Sequence, residues 1–167
     1  AHSFTDLQAG SGPAADAVSA TVVIGPPQTI SPLTPSRLLD TRTGTGGVPS
    51  ARLTGTTGAM TPLVFHAAGR NGVPSSGVAA VSLNVTVVEP TTEGYATVYP
   101  CGTSPSTSSV NFVAGRTTAN AVTTPLSAPG DFCIIVFGDA HVIADITGWY
   151  AAGEGFTQPF IWPVAGR

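Results

Sequence analysis

The stretch Val78–Val88, VAAVSLNVTVV, decides the fold. From Val81 onward it alternates: Val81, Leu83, Val85 and Val87 project one way, Ser82, Asn84 and Thr86 the other. Side chains on a strand project with period two, so this segment reads as a strand with one face on a core. The β-branched residues between Val81 and Val88 favour the same assignment, and no stripe at i, i+3, i+4 fits as well.

The pattern repeats on both sides of that strand. Towards the C-terminus, Glu89–Gly94 is a turn and Gly94–Cys101 a strand carrying Tyr95, Thr97 and Tyr99 on one face. Ser108–Ala114 and Ala119–Leu126 read as further strands, joined by a turn at Gly115-Arg116. Asp131–Phe137 is apolar on both faces, as a buried central strand would be, and Gly138-Asp139 predicts a tight turn into Ala140–Tyr150. Towards the N-terminus, Ala59–Ala67 is a strand, and Thr43–Gly58 is a long Gly/Thr loop of the kind that often carries function. Arg37–Thr41 is a short strand after a stiff path through Pro32 and Pro35. About nine or ten short strands without a credible helix predict an all-β, antiparallel β-sandwich or jelly roll. FHAAGR (65–70) and FVAGR (112–116) look alike, as two halves of a Greek-key duplication would.

The sandwich is expected over residues 31–152, with an arm at 1–30 and an extended tail at 153–167. In the arm, DAVSATVVIG (16–25) alternates again, placing Val18, Val22 and Ile24 on one side, and Pro26-Pro27 stops it. In the tail, Phe156, Phe160 and Trp162 share one parity between Pro159 and Pro163. Either the 16–25 strand joins the chain's own sheet, or both segments serve assembly as an exchanged strand and an apolar anchor for a second copy or a partner protein.

Composition narrows the function. Of 167 residues only 9% are charged, the net charge is -3, and all six basic residues are dispersed arginines. A nucleic-acid groove needs clustered cations to displace counterions, so nucleic acid is excluded as a partner. No apolar run approaches the roughly 20 residues of a membrane span, and no polybasic membrane patch exists. A Thr/Ser/Gly/Ala-rich surface with two cysteines suits an exported or cell-surface protein, and Ala1 is where such a chain would start after loss of a leader. Cys101 follows one strand and Cys133 lies inside another, the placement of a disulfide tying neighbours rather than of two free buried thiols. Two cysteines and three scattered histidines have no metal-ligand spacing, and no cofactor is expected.

Five blocks, SPLTPSRLLDTRTG, GVAAVSLNVTVVEP, GYATVYPCG, SSVNFVAGRTTANAVTTPL and HVIADITGWY, resemble a module of secreted and surface proteins of actinobacteria. The likeness covers Ser31 to Tyr150. It implies an accessory domain that attaches to cell wall or polysaccharide, with no catalytic role.

The candidate site residues come from sugar chemistry. Flat aromatic faces stack on pyranose rings, which points to Trp149, Tyr95 and Tyr99, with Tyr150 beside them. Trp149 shares parity with Asp145 and Thr147, so one face of the last strand is expected to mix polar groups with a large ring. Asp40 and Arg42 flank Thr41 beside the Gly loop, either to bond sugar hydroxyls or to form an internal ion pair. Asp145, on an otherwise apolar strand, needs a partner, and an arginine of the SPLTPSRLLDTRTG block is expected to supply it. His66 and His141 fall in strands, with no GxSxG or HExxH motif to place them as catalytic bases. Carboxylates placed to flank a glycosidic bond are likewise missing from the pattern. A non-catalytic polysaccharide-recognition module is the leading expectation. A structural subunit joined through its arms is the alternative.

Overall fold

The computed structural model describes residues 29–102 and 104–153. The arm positions Val18, Val22 and Ile24 and the tail positions Phe160 and Trp162 lie outside the described residues. Within them the chain is all-β, with nine strands: β1 (Ile30–Asp40), β2 (Leu53–Thr56), β3 (Ala59–Met60), β4 (Leu63–His66), β5 (Val78–Val88), β6 (Gly94–Pro100), β7 (Val110–Phe112), β8 (Thr118–Pro125) and β9 (Asp131–Ala151). All pair antiparallel, and the sheet does not close into a barrel.

The architecture turns on β9. Its first part, Asp131–Phe137, lies between β4 and β6, and β7 adds to β6, giving a back sheet in the order β4-β9-β6-β7. Its last part, His141–Ala151, lies between β1 and β5, and β8 adds to β5, giving a front sheet in the order β1-β9-β5-β8. Between them, Gly138–Ala140 pairs with β2, which carries β3 as a small hairpin. A strand that switches sheets must bend, and Gly138 takes that bend at φ +105°. A Cβ there would also meet the Thr92 hydroxyl at 2.8 Å. The tight turn expected at Gly138-Asp139 is therefore corrected to a kink in one continuous strand. A two-residue turn would have paired the halves of β9 with each other, but both edges are taken by other strands.

The inner faces of the two sheets form one core. β5 contributes Val81, Leu83, Val85 and Val87, and β9 contributes Val142, Ala144 and Ile146 from the front and Phe132, Ile134 and Val136 from the back. Burying each of the Val, Leu, Ile and Phe side chains among them stabilises by roughly 1.5–3 kcal/mol, which is what the alternation of β5 encodes. The two similar fragments place Phe65 and Phe112 into this core from β4 and β7, at opposite sides of the back sheet, and each then turns on a positive-φ glycine, Gly69 or Gly115.

Two further expectations are adjusted. The Thr43–Gly58 loop is shorter than its composition indicates, because Leu53–Thr56 pairs with both β3 and β9. Ala59–Ala67 is divided at Thr61-Pro62 into β3 and β4. Conversely β1 runs through Pro32 and Pro35, which an edge strand tolerates because one side of its ladder needs no N–H.

Candidate functional site

Trp149 does not share a face with Asp145. Along β5 and β9 the partners run Val87↔Val142, Val85↔Ala144, Leu83↔Ile146 and then Val81↔Trp149, a shift of one residue at Thr147. This β-bulge reverses the parity of the residues after it. Trp149 turns inward beside Val81 and packs on the core, while Gly148 and Tyr150 turn outward. The polar-plus-tryptophan face expected of the last strand is thus corrected: Trp149 is a wall of the core.

Tyr95, Thr97 and Tyr99 do share one face, the outer face of the back sheet. Opposite them on β9 stand Phe137, Ile135 and Cys133. Tyr99 is 3% exposed and clusters with Cys133 and Ile135, with Met60 and Cys101 packed against it. Cys101 and Cys133 are joined, with 5.0 Å between their Cα atoms. Thr97 is buried, and its hydroxyl donates to the Thr107 carbonyl. Tyr99 is therefore no sugar platform. Tyr95 is half-buried, its ring stacked on Phe137 at 5.3 Å and 10°.

Asp40 and Arg42 hold each other. The Arg42 Nε and Nη2 donate to Oδ1 and Oδ2 of Asp40 at 3.0 and 2.7 Å, and the Arg42 backbone N–H donates to Oδ1 at 2.9 Å. Arg37 then bridges two acids, donating to Asp40 Oδ2 at 3.1 Å and to Asp145 Oδ1 at 2.5 Å. The side-chain bonds from Arg42, opposed by burial, hold the Asp40 carboxyl down to about 2. The same bond raises the Arg42 guanidinium. Both carboxylate oxygens of Asp40 are spent inside the cluster, which fastens the start of the Gly/Thr loop to β9.

With those residues assigned to the fold, one open surface remains on the front sheet. Its outer face carries Ser82, Asn84 and Thr86 from β5, opposite Thr123, Ala121 and Ala119 of β8. On the other side Asn84 faces Asp145, and Ala80 faces Tyr150. The Thr147 hydroxyl sits 3.1 Å from both the carbonyl and the hydroxyl of Ser82. Gly148 lacks the Cβ that would strike Ile30, so Ile30, 42% exposed, lies over it beside Tyr150. Strands stand about 4.8 Å apart and alternate residues about 6.8 Å, which sets the spacing of Ser82, Asn84, Thr86 and Thr123 among the apolar Ala80, Ala119, Ala121 and buried Ile143 of the same face. Each hydroxyl can donate once and accept twice, and Asn84 does both. Ser82, Asn84 and Thr86 are legible as the polar side of β5. The period marks them as solvent-facing but does not distinguish a solvated face from a ligand face.

The two described histidines, His66 and His141, are tied locally. His66 Nδ1 is 2.7 Å from Asp131 Oδ1. Thr41 Oγ1 accepts from the Val142 N–H at 3.0 Å and lies 3.1 Å from His141 Nδ1, so this hydroxyl belongs to the β1–β9 junction. Among the described residues no three His, Cys, Asp or Glu side chains converge as metal ligands would, and no helix is long and apolar enough to cross a membrane. Comparison with protein-family models, with curated proteins and with solved structures found no match.

Proposed function

We propose that this chain is a non-catalytic recognition module of an exported or cell-surface protein, and that the outer face of its front sheet binds an extended polysaccharide. The observation that carries the reading is that face itself: Ser82, Asn84, Thr86 and Thr123 in register, half-exposed along β5 and bounded by Tyr150. A polymer of hydroxyls meets there a periodic array of groups that both donate and accept. The aromatic ring of Tyr150 sits at one margin, and the neutralised Arg37–Asp145 pair lies on the Asn84 side. The disulfide, the scarcity of charge and the resemblance to actinobacterial surface modules support an extracellular setting.

The test is retention of pure protein on insoluble cell-wall polysaccharide and glucans. Wild type should be retained, Asn84→Arg and Tyr150→Ala should lose retention at least tenfold while melting normally, and Tyr95→Ala, on the opposite face, should not. No retention of wild type on any glycan, or loss only in Tyr95→Ala, would sink the assignment. A second reading, a structural subunit of an extracellular assembly joined through its arms, is favoured by one observation: β8 ends the front sheet with its outer edge unpaired among the described residues.

A further inference from the structure

β8 is the long regular edge of the molecule. The Leu126 N–H donates to the Ala79 carbonyl at 2.9 Å, in the same register as the whole β5–β8 ladder. Even-numbered residues of β8 therefore bond β5, and Ala119, Ala121 and Thr123 aim N–H and C=O away from the sheet. The other edges carry protection. β1 has two prolines and two register shifts, and β3, β4 and β7 are four residues or fewer. β8 has no charge and no bulge, and its proline stands at its last position. Beside it, where β7 meets β8, lies an open cleft of about 480 Å³ whose mixed lining includes Asn111, Phe112, Val113, Arg116, Thr118 and Ala119, with Val113 51% exposed.

Resting on the assembly reading, we propose that β8 is the acceptor edge and that its occupant is residues 16–25 of a second copy, added antiparallel. In an antiparallel pair, opposed residues share a face, and the outward-bonding residues of β8 carry their side chains on the outer face. The incoming residues that bond β8 are then Ala17, Ser19, Thr21 and Val23, none of them proline. Val18, Ala20, Val22 and Ile24 turn towards the cleft side. The C-terminal tail fits worse. With Phe156, Phe160 and Trp162 inward, its bonding positions include Pro159 and Pro163, which have no N–H.

Polarity requires a second copy. Ile30 lies in one row with Tyr150, Ala80 and Pro125, so the chain enters β1 at the Pro125 end of β8. A strand antiparallel to β8 finishes at the Thr118 end. From Ile30 that point is four strand spacings across and seven residues along, about 30 Å in all. The five steps from Gly25 to Ile30 span at most about 18 Å. The chain's own arm cannot close that distance.

The experiment uses full-length variants that separate donor from acceptor: Val22→Asp in the arm, and Ala121→Pro on β8, which removes an outward N–H and leaves the bonds to β5. Circular dichroism and melting establish that both are folded, and Ala119→Lys with Thr123→Lys serves as a second acceptor variant that leaves the backbone unchanged. By light scattering, wild type should have at least twice the monomer mass, each variant should be monomeric, and their mixture should give a 1:1 dimer. Monomeric wild type at high concentration overturns both the inference and the assembly reading. An oligomer abolished by Val22→Asp but untouched by the β8 variants leaves the assembly reading standing and overturns the β8 assignment. A monomer whose arm becomes protease-sensitive only in Ala121→Pro shows the arm on its own sheet and overturns exchange between copies.

Discussion

The two sheets share a strand and a core, yet their outer faces differ in kind. The back sheet turns Tyr99, Ile135 and Cys133 outward, and these are nearly as buried as the core itself. The front sheet turns Ser82, Asn84 and Thr86 outward and leaves them half-exposed. An outward apolar face must be covered, and here Met60, the disulfide and the Thr107 carbonyl do so. The polar strip along β5 has no such need, and cover on that side is confined to Ile143 and Asp40 beside it. The contrast separates a face sealed by packing on one side of the molecule from a half-exposed polar strip on the other.

Breaking the back-face cover should have the largest effect. Opening Cys101–Cys133 releases a loop with a sequence separation of 32 residues. On chain-entropy grounds this costs about 3–4 kcal/mol, read as a fall in denaturation midpoint on adding reductant, with glycan retention of the surviving folded protein unchanged. An unchanged midpoint would mean that the back face is held by its packing alone. Tyr99→Ala should come next at about 3 kcal/mol, as a large buried side chain does, and Trp149→Ala should resemble it because Trp149 belongs to the core. If Trp149→Ala instead left melting intact and abolished retention, the tryptophan would lie on the ligand face and the bulge at Thr147 would be misassigned.

At the front margin the expected effect is smaller and depends on pH. The folded Asp40 carboxyl is held at about 2, below its ordinary 3.8, so its contribution is fully present above the ordinary value and is lost as pH falls from there through about 2. The difference corresponds to about 2 kcal/mol. Wild type should lose that amount between pH 5 and 2 beyond what Asp40→Asn loses, measured by urea melts across the series. Equal slopes would show that the Arg37–Asp40–Arg42 cluster carries no net stability. The smallest shift belongs to the polar face: Asn84→Ala and Thr86→Ala should move stability by less than about 0.5 kcal/mol while weakening retention. A large loss of stability there would mark the face as structural after all.

Much of this organisation is legible in local pattern. β5 declares its two faces by alternation, the cysteines sit where neighbouring strands place them, and Asp145 needs a basic partner that Arg37 supplies. What is not legible depends on pairing across the chain. Gly138-Asp139 has the composition of a hairpin turn, and only the partners along both edges of β9 make it a kink. The alternation of the last strand holds up to Thr147 and fails there; in ADITGWY the lone Gly148 hints at a bulge, but only the pairing with β5 places the extra residue. Tyr95, Thr97 and Tyr99 do share a face, but whether that face is wet depends on Met60 and Thr107, far from any local signal.

The continuity of β9 also sets an order of events. Both sheets use it as a central member, and its partners include β1, so that the backbone bond from Thr41 to Val142 closes about a hundred residues of chain. Strands β1 to β8 emerge earlier and have no common partner until Asp131–Ala151 is available. Loop-closure entropy must be met before those long-range pairs form, so folding should be slow and should wait for nearly the whole sandwich sequence. A chain of this topology can form its local ladders early, but it completes neither sheet until its last strand has been made.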